Sequence, residues 1–179
     1  MTAKIILALM VLLVPPKAQQ ARETEADATA RYSVIAEAIA AEAGDDARLA
    51  RFLVTVARHE SSFRRDIHSG KKRGDGGRSW GLFQIMVSEH ATQLLPRKAR
   101  GTDGKLLRAR DIAGTTPVAT RNAAKAAAHY LRPIIEKCAG APLCVFSAYG
   151  GVSKTRIAGD EKLRDRLAAR VATYRRLAR

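Results

Sequence analysis

The chain has 179 residues, with 32 Lys or Arg against 17 Asp or Glu and a formal net charge of +15. That length holds one domain with a real hydrophobic core and excludes a second of ordinary size, while 46% hydrophobic and 27% charged residues exclude full-length disorder. The charge calls for a polyanionic partner; no zinc-finger spacing or aromatic platform stands beside it, so nucleic acid is not expected and a cell wall or an anionic lipid surface is.

The N-terminus places Lys4 before the apolar run Ile5 to Val14, followed by Pro15-Pro16. This is the pattern of a secretory signal, and the run is short of the roughly 20 residues a bilayer span needs. Residues 1–20 are therefore expected to direct export to the periplasm or the medium; the competing reading is a buried N-terminal helix or strand. Residues 21–30 contain no large apolar side chain and are expected to form a polar leader or an exposed first turn. A single domain is expected over residues 31–179.

From Tyr32 to Ala43 an Ala-rich stretch carries Tyr32, Ile35 and Ile39 at helical spacing and stops at Gly44. Asp45 and Asp46 supply a cap for a second helix, which puts Leu49, Phe52, Leu53, Val56 and Glu60 on one side. Glu60 thus stands on the core-facing side in the last helical turn. Burial and the negative end of the helix dipole both disfavour its anion, which is what a general acid working near neutral pH requires. The alternative is an ion pair with Arg58, Arg64 or Arg65, or a frayed helix end.

Residues 66–80 are rich in glycine and charge and predict a loop or an irregular hairpin. Gly81-Leu82-Phe83-Gln84-Ile85-Met86 fits either a short strand or the start of a helix, with Gln84 as a satisfied buried amide or a substrate ligand. A helix is expected from Glu89 to Leu95, then a polar connection from Pro96 to Thr116. Pro117 opens the next helix, whose small face is Ala119, Ala123 and Ala127; Pro133 should kink or end it. An apolar piece, Cys144 to Tyr149, stops at Gly150-Gly151. The closing segment from Asp160 aligns Leu163, Leu167, Val171 and Tyr174 on one stripe surrounded by Arg164, Arg166, Arg170, Arg175 and Arg176, a terminal helix expected to pack on the domain rather than lie on a membrane. Cys138 and Cys144 are the only cysteines and are expected to be joined in an oxidising compartment. No cofactor or metal is expected.

Three segments then align: Glu60-Ser61-Ser62-Phe63, Ser79-Trp80-Gly81-Leu82-Phe83-Gln84-Ile85-Met86, and Ala148-Tyr149-Gly150-Gly151. In this order and separation they resemble the soluble lytic transglycosylase family, a lysozyme-like group related in fold to goose-type lysozymes. The resemblance runs from about Tyr32 to the C-terminus and implies a mainly helical α+β fold of the lysozyme kind with a small irregular β-hairpin. It implies that Glu60 is the catalytic acid and base, that Gln84 lies beside the scissile sugar, and that Tyr149 faces the glutamate across the cleft. Ser61 would set the helix end, and Met86 would line the cleft wall or the core. Two departures stand out: Gly150-Gly151-Val152 replaces the family's Asn-Ala-Gly, and the stretch from Lys71 to Gly77 is more basic and glycine-rich than the family connection.

The implied reaction cleaves the β-1,4 bond between N-acetylmuramic acid and N-acetylglucosamine in peptidoglycan glycan strands and leaves a 1,6-anhydromuramyl end. The alternatives are an inverting muramidase of the goose-type lysozyme kind, in which Asp66, Asp75 or Glu89 would orient water, and an inactive wall-binding assembly protein. A cell-envelope secretion, conjugation or phage assembly is the kind of machine such a chain would serve, and a monomer is expected.

Overall fold

The computed structural model describes residues 1–17, 23–87, 95 and 98–178. The expected helix at 89–95, with Glu89 itself, lies outside these except for Leu95, which is buried. The fold is the mainly helical α+β arrangement expected, with one two-stranded antiparallel sheet among the described residues.

Helix α1 (Ala3–Leu13) packs on α2 (Glu25–Ala43) and α3 (Ala47–Ser61), with Ile6 and Met10 fully buried and the terminal ammonium donating to the Gly44 carbonyl at 2.8 Å. α2 begins at Glu25 rather than at Tyr32. Its start is set by a capping box: the Thr24 hydroxyl accepts from the Asp27 N–H at 3.1 Å, and the Asp27 carboxylate accepts from the Thr24 N–H at 3.0 Å. Such a cap is worth about 1 kcal/mol, enough to carry a helix through residues with no large apolar side chain. Gly44 ends α2 and Asp46 caps α3, accepting from the Leu49 N–H at 2.9 Å.

After α3 come a single turn, α4 (Arg65–His68), and the strands β1 (Ser79–Trp80) and β2 (Ile85–Met86), paired with Ser79 opposite Met86 and Trp80 opposite Ile85. The turn between them pushes Leu82 and Phe83 into the core. The stretch after it is less polar in effect than its composition, since Leu107, Ala109 and Ile112 are buried. Helix α5 (Pro117–Lys137) opens on Pro117 and packs along α2, where Arg121 pairs with Glu42 at 2.7 Å. Pro133 does not end it. Pro133 and His129 both lie on the exposed face, while Leu131 and Ile135 stay packed.

The chain closes with α6 (Pro142–Tyr149), α7 (Lys154–Gly159) and α8 (Glu161–Arg176), and a disulfide joins Cys138 to Cys144. Three aromatic rings lock α3, α6 and α8 together: Phe52 stacks on Tyr174 with centroids 4.3 Å apart and meets the edge of Phe146 at 5.4 Å. Deleting one such buried ring costs about 3 to 5 kcal/mol. The cluster also fixes register. Glu60 lies two turns beyond Phe52 on α3, Tyr149 one turn beyond Phe146 on α6, and Arg170 one turn before Tyr174 on α8.

Candidate active site

Those three helices and the hairpin enclose a cleft of about 640 Å³ whose lining includes Glu60, Asp75, Gln84, Met86, Tyr149 and Arg170. The end of α3 is held unusually firmly. Ser62 and Phe63 both take left-handed backbone (φ 50° and 55°), a conformation that costs a non-glycine residue about 1 to 2 kcal/mol. Buried Ser61 offsets this by donating its hydroxyl to the Ala57 carbonyl at 2.8 Å and accepting from the Phe63 N–H at 3.2 Å. Arg58 donates to the Ser62 hydroxyl at 2.9 Å. Behind the turn, Arg31 donates to the Phe63 carbonyl and pairs with Glu23 at 2.8 Å, while the Phe63 ring meets Tyr32 edge-on at 5.3 Å. The backbone that aims Glu60 into the cleft is therefore fixed from below.

Burial raises the Glu60 pKa above the ordinary carboxylate value, and the nearby Asp75 carboxylate adds to the rise. Arg170 opposes it, with its guanidinium 2.8 Å from Oε1 of Glu60; the two side chains are 17% and 21% exposed. Beside the pair, His59 holds Thr173 of α8 at 3.0 Å; burial, then the charges of Arg170 and Arg58, pull its pKa down to about 4 and keep the ring neutral at neutral pH. The sequence suggested Arg58, Arg64 or Arg65 as ion-pair partners for Glu60. Instead Arg58 serves Ser62, Arg64 serves Asp66, and the partner is Arg170 from the closing helix.

Gln84 is placed by a tight turn. Its backbone takes φ 45°, its N–H donates to the Gly81 carbonyl at 3.1 Å, and its side-chain amide donates to the same carbonyl at 2.9 Å. Its Oε1 lies so close to Gly74 that a Cβ added there would stand 2.5 Å away. Gly81 is likewise obligatory, with φ 70° and the Ile112 carbonyl 2.5 Å from where a Cβ would be. Tyr149 donates its hydroxyl to the Phe83 carbonyl at 3.0 Å; burial and then the charge of Glu60 push its pKa well up, so it stays a neutral donor.

The remaining candidates separate. Met86 is half exposed on the cleft wall rather than in the core. Asp75 lines the cleft and accepts from the Ser79 hydroxyl at 2.6 Å. Asp66 does not line it: burial works against its ionisation, yet the hydrogen bonds and charge of Arg64, at 2.5 and 3.0 Å, hold its pKa below the usual range. Among the described residues no group of three or more His, Cys, Asp or Glu is arranged to hold a metal, and no helix is long and apolar enough to cross a membrane.

The sequence reading set Arg170 around the apolar stripe of the closing helix and not in the site. The signal was present: Leu163, Leu167, Arg170 and Tyr174 recur at the spacing of a single helix face, which puts an arginine on the buried stripe. The arrangement as a whole offers a carboxyl whose pKa burial raises, flanked by a neutral amide and a neutral phenol. Residues 37–164 match the family model described as Transglycosylase SLT domain. No curated protein and no solved structure matches the chain.

Proposed function

The chain belongs to the transglycosylase SLT domain family, whose members act on peptidoglycan, and from that membership and the setting of Glu60 we propose that it is a lytic transglycosylase of glycan strands. The observation that carries the reading is the half-buried carboxyl of Glu60, raised in pKa and fixed in direction by the Ser61 to Phe63 turn, in a cleft it shares with Gln84 and Tyr149.

In the proposed reaction Glu60 gives its proton to the oxygen of the β-1,4 bond between N-acetylmuramic acid and N-acetylglucosamine as that bond breaks, and positive charge develops at the anomeric carbon. The resulting carboxylate then takes the proton of the muramyl 6-hydroxyl, whose oxygen bonds to the anomeric carbon and closes the 1,6-anhydro ring. The proton lost in the first step is recovered in the second, so one acid serves both. Gln84 and Tyr149 would orient the muramyl residue as neutral hydrogen-bonding groups. A glycan-strand substrate implies action outside the cytoplasm, and we propose residues 1–20 as the export signal, although α1 within them buries Ile6 and Met10 against α2 and α3.

A second reading, inverting hydrolysis, draws on Asp75, which shares the cleft and could orient water if the two carboxyl groups stood roughly 6.5 to 9.5 Å apart. Mass spectrometry of fragments released from purified peptidoglycan separates the two, because an anhydromuramyl end lacks the water a reducing end contains. The expected products carry anhydro ends. Reducing muramyl ends would transfer the assignment to the hydrolase, and no fragments at all would leave a wall-binding protein.

A further inference from the structure

The cleft wall opposite the hairpin is lined by three arginines. Arg156 comes from α7, and Arg166 and Arg170 stand on successive turns of α8, about 6 Å apart along the helix axis. Only Arg170 has a carboxylate partner, and that partner is Glu60. Among the described residues no acid pairs with Arg156 or Arg166; Arg166 donates through Nε to the Lys162 carbonyl of its own helix at 3.3 Å. Neutral sugar hydroxyls do not call for three guanidinium groups in a row. A glycan of alternating N-acetylglucosamine and N-acetylmuramic acid has one place for an anion, the 3-O-lactyl arm of the muramyl residue, which ends either in its own carboxylate or in a peptide stem bearing carboxylates.

We propose that Arg156, Arg166 and Arg170 form a carboxylate subsite for the muramyl arm, and that Arg170 exchanges its bond to Glu60 for one to the substrate. The inference rests on the reading that the cleft takes a muramyl glycan. Its mechanistic content is a coupling. While Arg170 touches Glu60 it favours the ionised carboxylate, which cannot donate a proton; an arriving anion draws the guanidinium away and restores the acid. Substrate charge thereby becomes a condition for catalysis as well as for binding, and the two effects are reciprocal, as linkage requires. Arg166 and Arg156, farther along the wall, contribute to capture alone. Arg170 is in this sense a positioning residue that acts through Glu60.

The test compares turnover on four substrates: stem-free glycan oligomers with lactyl carboxylates free or amidated, and stem-bearing oligomers with stem carboxylates free or amidated. The wild-type protein should prefer the free form over the amidated form by about tenfold or more in kcat/KM, in the stem-free pair if the lactyl carboxylate is the ligand and in the stem-bearing pair if the stem is. Arg170→Gln should reduce that ratio to within about threefold, losing turnover on the anionic oligomer and gaining on the amidated one, because the charge that favours the Glu60 anion is gone. On the amidated oligomer its pH profile should extend to higher pH than wild type; His59, Asp75 and Tyr149, the other titratable groups around Glu60, are unchanged. Arg166→Gln, at an exposed position, should raise KM on anionic oligomers with no gain on amidated ones, and reads the subsite even if Arg170→Gln fails to fold. Equal wild-type turnover on free and amidated forms in both pairs, or an equal loss on all four by folded Arg170→Gln, overturns the proposal. Wild-type protein that releases no fragments from intact peptidoglycan would instead overturn the functional reading beneath it.

Discussion

On the wall formed by the ends of α3 and α6 and the turn at residues 79–86, the groups around Glu60 are held mainly through backbone: Ser61 to the Ala57 carbonyl, Gln84 to the Gly81 carbonyl, Tyr149 to the Phe83 carbonyl. On the wall formed by α7 and α8 the polar groups are guanidinium ends, of which only Arg170 is tied to an acid. Backbone anchors leave a side chain one geometry and no net charge to screen. Long cationic side chains can follow a ligand, and their attraction reaches beyond contact. On the proposed function, the contrast separates aiming the chemistry from recognising the strand, and gives the two tasks to different parts of the chain.

Three variants probe that separation. The largest effect is expected from Glu60→Gln, which keeps the shape of the side chain and removes its proton chemistry. Fragment release should fall by about a thousandfold with an unchanged far-UV circular dichroism spectrum. Activity near wild type would show that the fixed wall does not carry the reaction. Next comes Gly74→Val on the same wall. The new Cβ would meet Oε1 of Gln84 at 2.5 Å, so the amide must shift; kcat/KM should drop roughly ten- to hundredfold while the thermal midpoint moves little. A variant with full activity would separate Gln84 from substrate orientation. The smallest effect belongs to Arg175→Gln combined with Arg176→Gln, both exposed on α8 and outside the cleft lining. Binding to whole sacculi, measured by sedimentation, should weaken a few-fold at low salt and match wild type at high salt, with turnover on short neutral fragments unchanged. A loss on those fragments would mean that even the outer arginines shape the site.

The fixed wall was readable in the sequence because its information is local. Glu60 ends a helical apolar stripe, Gln84 sits within six consecutive motif residues, and Tyr149 precedes a glycine pair. Gly44, Asp46 and Pro117 mark helix ends by chemistry that acts within one turn. The charged wall was not readable in the same way. Arg170 stood among several arginines placed alike around the apolar stripe of the closing helix. The fold divides them: Arg170 enters the site, and Arg164 bonds the Ile157 and Ala158 carbonyls at the end of α7. Which arginine meets which acid depends on the packing of Phe52, Phe146 and Tyr174, contacts between segments far apart in sequence. The early start of α2 was missed for a different reason. Apolar periodicity was followed, and the Thr24 and Asp27 capping pair, a polar signal, outweighed it.

Helix α6 has eight residues, fewer than the roughly 12 to 15 a helix needs to persist alone in water, and it carries both Phe146 and Tyr149. The bond between Cys138 and Cys144 ties its first turn to the end of α5 and takes about 2 to 3 kcal/mol of chain entropy out of the unfolded state. Reduction returns that freedom first to the short segment on which the tyrosine rides. The cleft is therefore better assembled in an oxidising compartment than in a reducing one. For a member of a family that acts on the cell wall, this amounts to a safety catch: completion of the cleft depends on the redox state of its surroundings.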